Sequence, residues 1–226
     1  MHNSVLDFIE DKKYQELLAK ILACGTTDQS FFHGHVNTGN YQVQQIPCEF
    51  AAYMTWLSKM FEGRPLRYLE IGSCAGGSLR HLKEAIPQLE PHSCDNMTYP
   101  ECKFQAINFA AFQHELKQFV GDSKSADFRK WMQKLGYKFD VIFIDGDHMK
   151  DAVIADYYSV LPFVEDGGFI TFHDHLVPSS PIVEVNKAFE FFTAMSTFSM
   201  VKEFRNPSEL QRKLGIAVTQ PLLFAD

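Results

Sequence analysis

Apolar residues recur along the chain with two different periods, and the change from one to the other divides it. Tyr14, Leu17, Leu18, Ile21 and Leu22 follow the i, i+3, i+4, i+7, i+8 spacing of a half-buried helix. Ser4-Val5-Leu6-Asp7 has the spacing of a capping box and predicts that this helix starts there. Phe50, Met54, Leu57 and Phe61 give a second helix one apolar face, with Pro47 suited to its first turn. Between them, residues 24–46 show no period: Gly, Thr, Asn and Gln are mixed with Phe31, Phe32 and Tyr41. A structureless run of that length in a compact protein is usually a lid or binding loop. Residues 1–46 are therefore expected to be an N-terminal helix and lid, and residues 47–226 the main domain.

Beyond Pro65 the pattern alternates. Short apolar runs at 67–71, 92–95, 118–120, 141–145 and 168–173 read as strands. Helical spacing separates them: Leu79, Leu82 and Ile86; Phe104, Ile107, Ala111 and Phe112 within 100–116; Phe128, Trp131, Met132 and Leu135; Val153, Ile154, Tyr157, Val160 and Leu161; Val185, Ala188, Phe189 and Phe192. The unbroken Val141-Ile142-Phe143-Ile144 run is that of a strand buried on both faces. Two further runs, 198–204 and 214–219, are joined by a link too short for a parallel crossover, which predicts an antiparallel pair. The sum is an α/β fold: a doubly wound, mostly parallel sheet that ends in a hairpin, behind an N-terminal helical cap.

Composition narrows the class. Of 226 residues, 46% are hydrophobic and 21 are Phe, which excludes a disordered tail protein. The net charge of −7 lacks the basic surplus that phosphate contacts need, so no nucleic-acid partner is expected. The five cysteines are odd in number and form no CxxC pair, so neither a disulfide framework nor a zinc ribbon is indicated, and a reducing cytoplasm is the simplest location. The first residues lack the apolar core of a signal peptide, and no apolar run approaches the roughly 18 residues of a membrane span. No membrane partner is expected.

Candidate chemistry gathers at the predicted strand ends, where open α/β sheets bind ligands. The first group is Glu70-Ile71-Gly72-Ser73-Cys74-Ala75-Gly76-Gly77-Ser78, a strand, a glycine turn and a helix start. Gly72 would let a ligand approach the backbone, and Glu70 could reach a cationic group. Cys74 occupies the second glycine position of GxGxxG, which argues against a nicotinamide dinucleotide. Asp95 lies 23 residues after Gly72, a distance suited to ribose hydroxyls; a turn or cap is the structural alternative. In Gly121-Asp122-Ser123, Asp122 could accept from an adenine amino group and Ser123 add a contact, although such a triplet is more often a turn. Asp145-Gly146-Asp147-His148 and His173-Asp174-His175 follow consecutive hydrophobic strands, and ionisable groups there are costly unless paired or functional. All six ionisable groups are expected to line one pocket. His33-Gly34-His35 reads as loop surface or pocket lining, and Lys117, Lys124, Arg129, Lys130, Lys134 and Lys138 as a solvated face.

These segments resemble class I S-adenosylmethionine-dependent methyltransferases over roughly residues 47–219. EIGSCAGGS is similar to that fold's ExGxxxG motif. The stretch from Phe139 to His175, with the Gln45-Ile46-Pro47 lead-in, resembles the subgroup of cephalosporin-hydroxylase-like proteins and macrocin- and catechol-type O-methyltransferases. The resemblance implies a seven-stranded sheet of order 3-2-1-4-5-7-6. It also implies S-adenosylmethionine as cofactor, with Glu70, Gly72, Ser73 and Ser78 around its methionine end, Asp95 on the ribose, and Asp122 with Ser123 at the adenine. Asp145 belongs to the same pocket.

In metal-dependent members, the equivalents of Asp145, His173 and Asp174 bind Mg²⁺. Here His173 stands where those members carry an acid, and nitrogen is a poorer ligand than oxygen for Mg²⁺, so the alternatives are Mg²⁺ or Mn²⁺ on this set, a site of the two acids alone, or general-base catalysis without a metal. Asp147 or His148 would be the catalytic base. The expected reaction is O-methylation of a small-molecule acceptor, shaped by the lid and the 176–181 loop, in a monomer or a homo-oligomer. A metal-dependent phosphoester hydrolase and a cofactor-binding protein without catalysis are the competing readings. The hydrolase does not account for Glu70, Asp95 and Asp122.

Overall fold

The computed structural model describes residues 4–23, 43–208 and 213–222. The expected lid at 24–46 and the His33-Gly34-His35 pair lie outside them, except for residues 43–46. Two helices lead in: α1 (Lys12–Ala23) and α2 (Pro47–Met60). Helix α1 starts later than the Ser4 capping box suggested. Asp11 caps it, its carboxylate accepting the Lys13 and Tyr14 amides at 2.8 and 3.3 Å, while the Ser4 amide donates to the Glu203 carbonyl.

The sheet consists of β1 (Leu66–Ile71), β2 (Leu89–Asp95), β3 (Lys117–Val120), β4 (Phe139–Ile144), β5 (Val164–His173), β6 (Phe198–Phe204) and β7 (Ile216–Pro221). Its spatial order is β3-β2-β1-β4-β5-β7-β6, with β1 to β5 parallel and β7 antiparallel to both neighbours. This is a Rossmann-like fold that closes in the hairpin read from the sequence. Helices α3 (Gly77–Ala85), α4 (Gln105–Phe109), α5 (Ala126–Leu135), α6 (Lys150–Val160) and α7 (Val185–Ala194) complete it. The helix expected over 100–116 is broken: α4 is one short turn between two 3-10 segments.

Strand β4 shows why its sequence is apolar throughout. Val141 and Phe143 join a core with Tyr53, Trp56, Tyr68 and Phe204 beneath α2, whereas Ile142 and Ile144 join the opposite core with Met132, Tyr157, Phe172 and Phe192. Burying each such side chain contributes about 1.5–3 kcal/mol. This two-sided packing fixes the carboxyl ends of β1, β4 and β5 side by side, with Ile71 opposite Ile144 and Ile144 opposite Phe172.

Candidate active site

The turn after β1 is built by close backbone contact. Gly72 has φ +85°, and a Cβ there would overlap the Asp145 carbonyl and lie 2.5 Å from the Gly146 Cα. Gly72 is thus needed for the approach of the β1 and β4 turns to each other, which differs from the ligand approach expected of it. Gly76, at φ +82°, faces the Phe109 ring, where a Cβ would come within 2.5 Å. The turn between them is held by side chains from three directions. Ser73 Oγ and Ser93 Oγ are 2.6 Å apart. Gln105 donates to the Cys74 carbonyl at 2.6 Å, and Asn108 to that of Ala75 at 2.7 Å. Gln118 on β3 in turn donates to the Gln105 amide oxygen.

Beneath this turn Glu70 is buried, and its Oε1 accepts the Ser78 hydroxyl. Burial pushes its carboxyl up to about 8 against the pull of that hydrogen bond, and Asp145 and Asp95 add to the rise. Its Oε2 has no hydrogen-bond partner among the described residues. Asp95, at the end of β2, accepts the Cys74 amide at 2.7 Å on Oδ2. Its Oδ1 takes the Met97 amide at 2.6 Å and the Cys102 thiol at 3.4 Å. The carboxylate thus organises the turns on either side of it. Asp122 is exposed and accepts the Lys124 amide, while Ser123 is buried and donates to Asp156 of α6 at 2.6 Å.

One strand over, a cluster of carboxylates and imidazoles forms at the ends of β4 and β5. Asp145 Oδ1 lies 3.0 Å from His173 Nδ1 and 3.4 Å from His148 Nε2, and its Oδ2 accepts Gln45 Nε2 at 2.7 Å. Asp174 lies 3.3 Å from each imidazole, through Oδ1 to His173 and Oδ2 to His148. Burial opposes charge in Asp145, His148 and His173, but attraction to their neighbours prevails: Asp145 is held below the usual carboxylate range, and His173 and His148 are raised. Asp174, at φ +60°, is 1% exposed. Oxygens of Asp145 and Asp174 and a ring nitrogen of His148 all lie within 4.8 Å of one another.

Two other candidates lie apart from this cluster. Asp147 is half exposed, accepts the Met149 amide at 3.0 Å and sits 3.9 Å from Lys124. His175, expected in the same pocket, faces the far side of the sheet and pairs with Glu203 of β6 at 3.0 Å. β5 ends at His173, and the left-handed backbone of Asp174, at φ +60°, turns the chain out of the strand, so His175 does not follow the alternation that would have placed it with His173.

Several contributing residues stand outside the strand-end motifs. Glu49 and Tyr53 lie four apart on one face of α2, and Gln45 precedes its first turn. Gln45 reaches Asp145. Glu49 accepts the Asn206 and Gly215 amides at 2.6 and 2.9 Å, and Tyr53 donates to Thr171 at 3.4 Å. Burial pushes Glu49 up to about 7, against those two amides. The signal in the sequence is the pair of polar groups Glu49 and Tyr53 inside an otherwise apolar helix, although the Phe50, Met54 and Leu57 face is the stronger pattern.

Residues 69–175 match a family model described as a methyltransferase domain, and the sheet that carries them is Rossmann-like. An uncharacterized protein of Acanthamoeba polyphaga mimivirus is 31% identical over 128 residues, covering 53% of this chain and 56% of that protein. The chain therefore spans little more than half the length of that curated relative. Among solved structures, the O-methyltransferase TomG of Streptomyces achromogenes, in complex with SAM, superposes with a TM-score of 0.59 at 16% identity, covering 96% of this chain and 95% of TomG. An O-methyltransferase of Bacillus cereus in complex with SAH gives 0.60 at 16%, covering 95% and 94%. MycE, from the mycinamycin biosynthetic pathway and solved with Mg, SAH and mycinamycin VI, gives 0.57 at 16%, covering 94% of this chain and 55% of MycE. At these identities the likeness is one of fold. No helix among the described residues is long and apolar enough to cross a membrane.

Proposed function

We propose that the protein transfers the methyl group of S-adenosylmethionine to a hydroxyl oxygen of a small molecule. The observation that carries this reading is the meeting of two unlike groups at one mouth of the sheet. Buried Glu70 and Asp95 flank the β1 turn, and the Asp145–His148–Asp174 cluster stands at the neighbouring strand ends. In this reading the free Oε2 of Glu70, with Gly72, Ser73 and Ser78, receives the methionine end of the cofactor. Asp95 holds the ribose, Asp122 and Ser123 read the adenine, and Asp145 closes the pocket from β4.

Methyl transfer is an in-line displacement, so the chain must align the acceptor oxygen and accept its proton. With no ion bound, His148 is the base in this reading, its imidazolium stabilised by the two carboxylates against which its nitrogens rest; with His148 holding an ion, its lone pair is taken and Asp147 is the base. Asp147, the other candidate, stands at the rim, where it ties the β4 loop to Lys124 and can take the proton onward.

The donor set also fits a divalent ion. Asp145, His148 and Asp174 supply two carboxylates and an imidazole whose donor atoms all lie within 4.8 Å of one another, and the His173 ring beside them has a buried Nε2 without a hydrogen-bond partner among the described residues. The nitrogen favours Mn²⁺ over Mg²⁺. His173 lies against Asp145 and Asp174 and would either complete the ligand set or hold the two acids in place. A bound ion would lower the pKa of an acceptor hydroxyl.

Calorimetry with S-adenosylhomocysteine, and methyl transfer from labelled S-adenosylmethionine to catechols and glycosides, test the reading. Binding together with label on a hydroxyl, lost on chelation and restored by Mn²⁺, is expected. Failure of the folded chain to bind S-adenosylhomocysteine overturns it. Binding without transfer to any acceptor, with or without Mn²⁺, reduces the protein to a cofactor binder.

A further inference from the structure

Asp156 is a buried carboxylate that the chemistry above leaves unused. It projects from α6, is 1% exposed, and accepts the Ser123 hydroxyl at 2.6 Å on Oδ1. Its Oδ2 lies beneath Gly146, with no hydrogen-bond partner among the described residues. Asp156 therefore joins the turn after β3 to the loop after β4. The two loops also meet at the surface, where Lys124 lies 3.4 Å from Asp122 and 3.9 Å from Asp147.

A serine hydroxyl has one proton to give and two lone pairs. An ionised carboxylate has no proton to give, so in the Ser123–Asp156 pair the proton must come from Ser123. Burial pushes Asp156 up to about 6 against the pull of that bond, so at pH 7.5 it is ionised and acts only as an acceptor. Ser123 Oγ can then offer any further partner nothing but a lone pair.

We propose that Asp156 is a specificity-determining positioning residue: by consuming the Ser123 proton it makes Ser123 an acceptor that selects a 6-amino purine. The inference rests on the reading that Ser123 and Asp122 flank the cofactor's base. The ring nitrogens N3 and N7 of adenine are acceptors and its exocyclic amino group is the donor. That group carries two hydrogens, and the 121–123 turn offers two acceptors for them, the exposed Asp122 carboxylate and the fixed Ser123 oxygen. An unfixed Ser123 could turn its proton outward and bond a ring nitrogen equally well.

The test compares binding of S-adenosylhomocysteine with that of its analogue bearing hydrogen in place of the 6-amino group. The wild-type chain is expected to prefer the amino compound by about tenfold or more. Asp156→Ala should lower that preference at least threefold, and Asp156→Asn, which keeps an acceptor for Ser123, should retain it. Ser123→Ala should lower the preference by itself, and adding Asp156→Ala should then change the ratio no further. This arm needs only the folded Ser123 variants and does not depend on the single Asp156→Ala protein. Equal weakening of both ligands in Asp156→Ala, with the ratio intact, overturns the proposal and leaves Asp156 a structural residue. If the wild-type chain binds neither ligand, the cofactor reading itself has failed.

Discussion

The turn after β1 and the ends of β4 and β5 lie side by side but treat their polar groups in opposite ways. In the turn, serine, glutamine, asparagine and aspartate side chains are spent on the protein's own carbonyls and amides, from Ser73 and Ser93 to Gln105 on Cys74 and Asp95 on both flanking loops. At the strand ends, Gln45 Oε1 and His173 Nε2 are buried without hydrogen-bond partners among the described residues, and His148 Nε2 and Asp174 Oδ1 have only ion-pair contacts, at 3.4 and 3.3 Å. Orphaned buried polar groups cost roughly 1–3 kcal/mol each. The first region is largely satisfied within itself, Glu70 Oε2 and Asn108 Oδ1 being its buried atoms without a hydrogen-bond partner among the described residues. The second stores unmet bonding capacity, which is where a reacting ligand or ion would gain most.

Mutations at the junction should separate the two. The largest effect is expected from Gly72→Ala, because its methyl must enter the Asp145–Gly146 backbone at φ +85°. Backbone strain and overpacking together should cost about 3–6 kcal/mol, read as a lowered urea midpoint. A midpoint within experimental error of wild type would show that the two turns can separate freely. Asp174→Asn comes next. It keeps the shape of the strand end and removes a charge, so turnover should fall about 10²-fold or more. Its S-adenosylhomocysteine affinity should stay within about threefold, whereas equal loss of both would erase the division between scaffold and reaction site.

Asp95→Ala should act on the other side of the comparison. Losing its hydrogen bonds to a bound ribose weakens S-adenosylhomocysteine by about 1–3 kcal/mol, with a smaller loss of thermal stability from the freed Cys74 and Met97 amides. Unchanged affinity in calorimetry removes Asp95 from the binding role.

The smallest signal is a proton. Glu70 sits at about 8 in the folded chain, above its ordinary 4.5. The folded state thus holds the extra proton, and this group's contribution to stability falls as pH rises through that window. A ligand ammonium beside Glu70 reverses the preference and expels the proton. Calorimetry at pH 7 in buffers of different ionisation enthalpy should show release of up to about one proton per ligand, absent in Glu70→Gln. Equal release from both proteins would assign the proton to another group.

Much of this was legible in the chain. The period of apolar residues gave the alternation, and the Val141–Ile144 run marked a strand covered on both sides because nothing polar interrupts it. The ends were less legible: β2 starts at Leu89 and β5 at Val164, both earlier than the apolar runs implied, because parallel pairing to β1 and β4 extends them through polar residues. The motif residues Glu70, Asp95, Asp145 and Asp174 stood out because acids at the ends of buried strands need a reason. Gln45, Glu49, Gln105, Asn108 and Asp156 did not, since their partners are backbone groups or side chains far along the chain, and sequence spacing carries no trace of such contacts. His175 shows the converse error: it shares a motif with His173 and Asp174 but not their surroundings, because a change of direction after the strand sends it to Glu203.

Glu49 has a consequence in time as well as in space. Its two amide partners, Asn206 and Gly215, lie 157 and 166 positions further along the chain. They bracket the link into β7, and β7 fills the slot between β5 and β6 although it is made after both. On the ribosome, α2 is therefore synthesised with a carboxylate whose partners do not yet exist, and the slot beside β5 stays open until β7 emerges. A nascent chain can pair β1 to β5 first, but β5 gains its second neighbour, and Glu49 its Gly215 amide, only when β7 slides in.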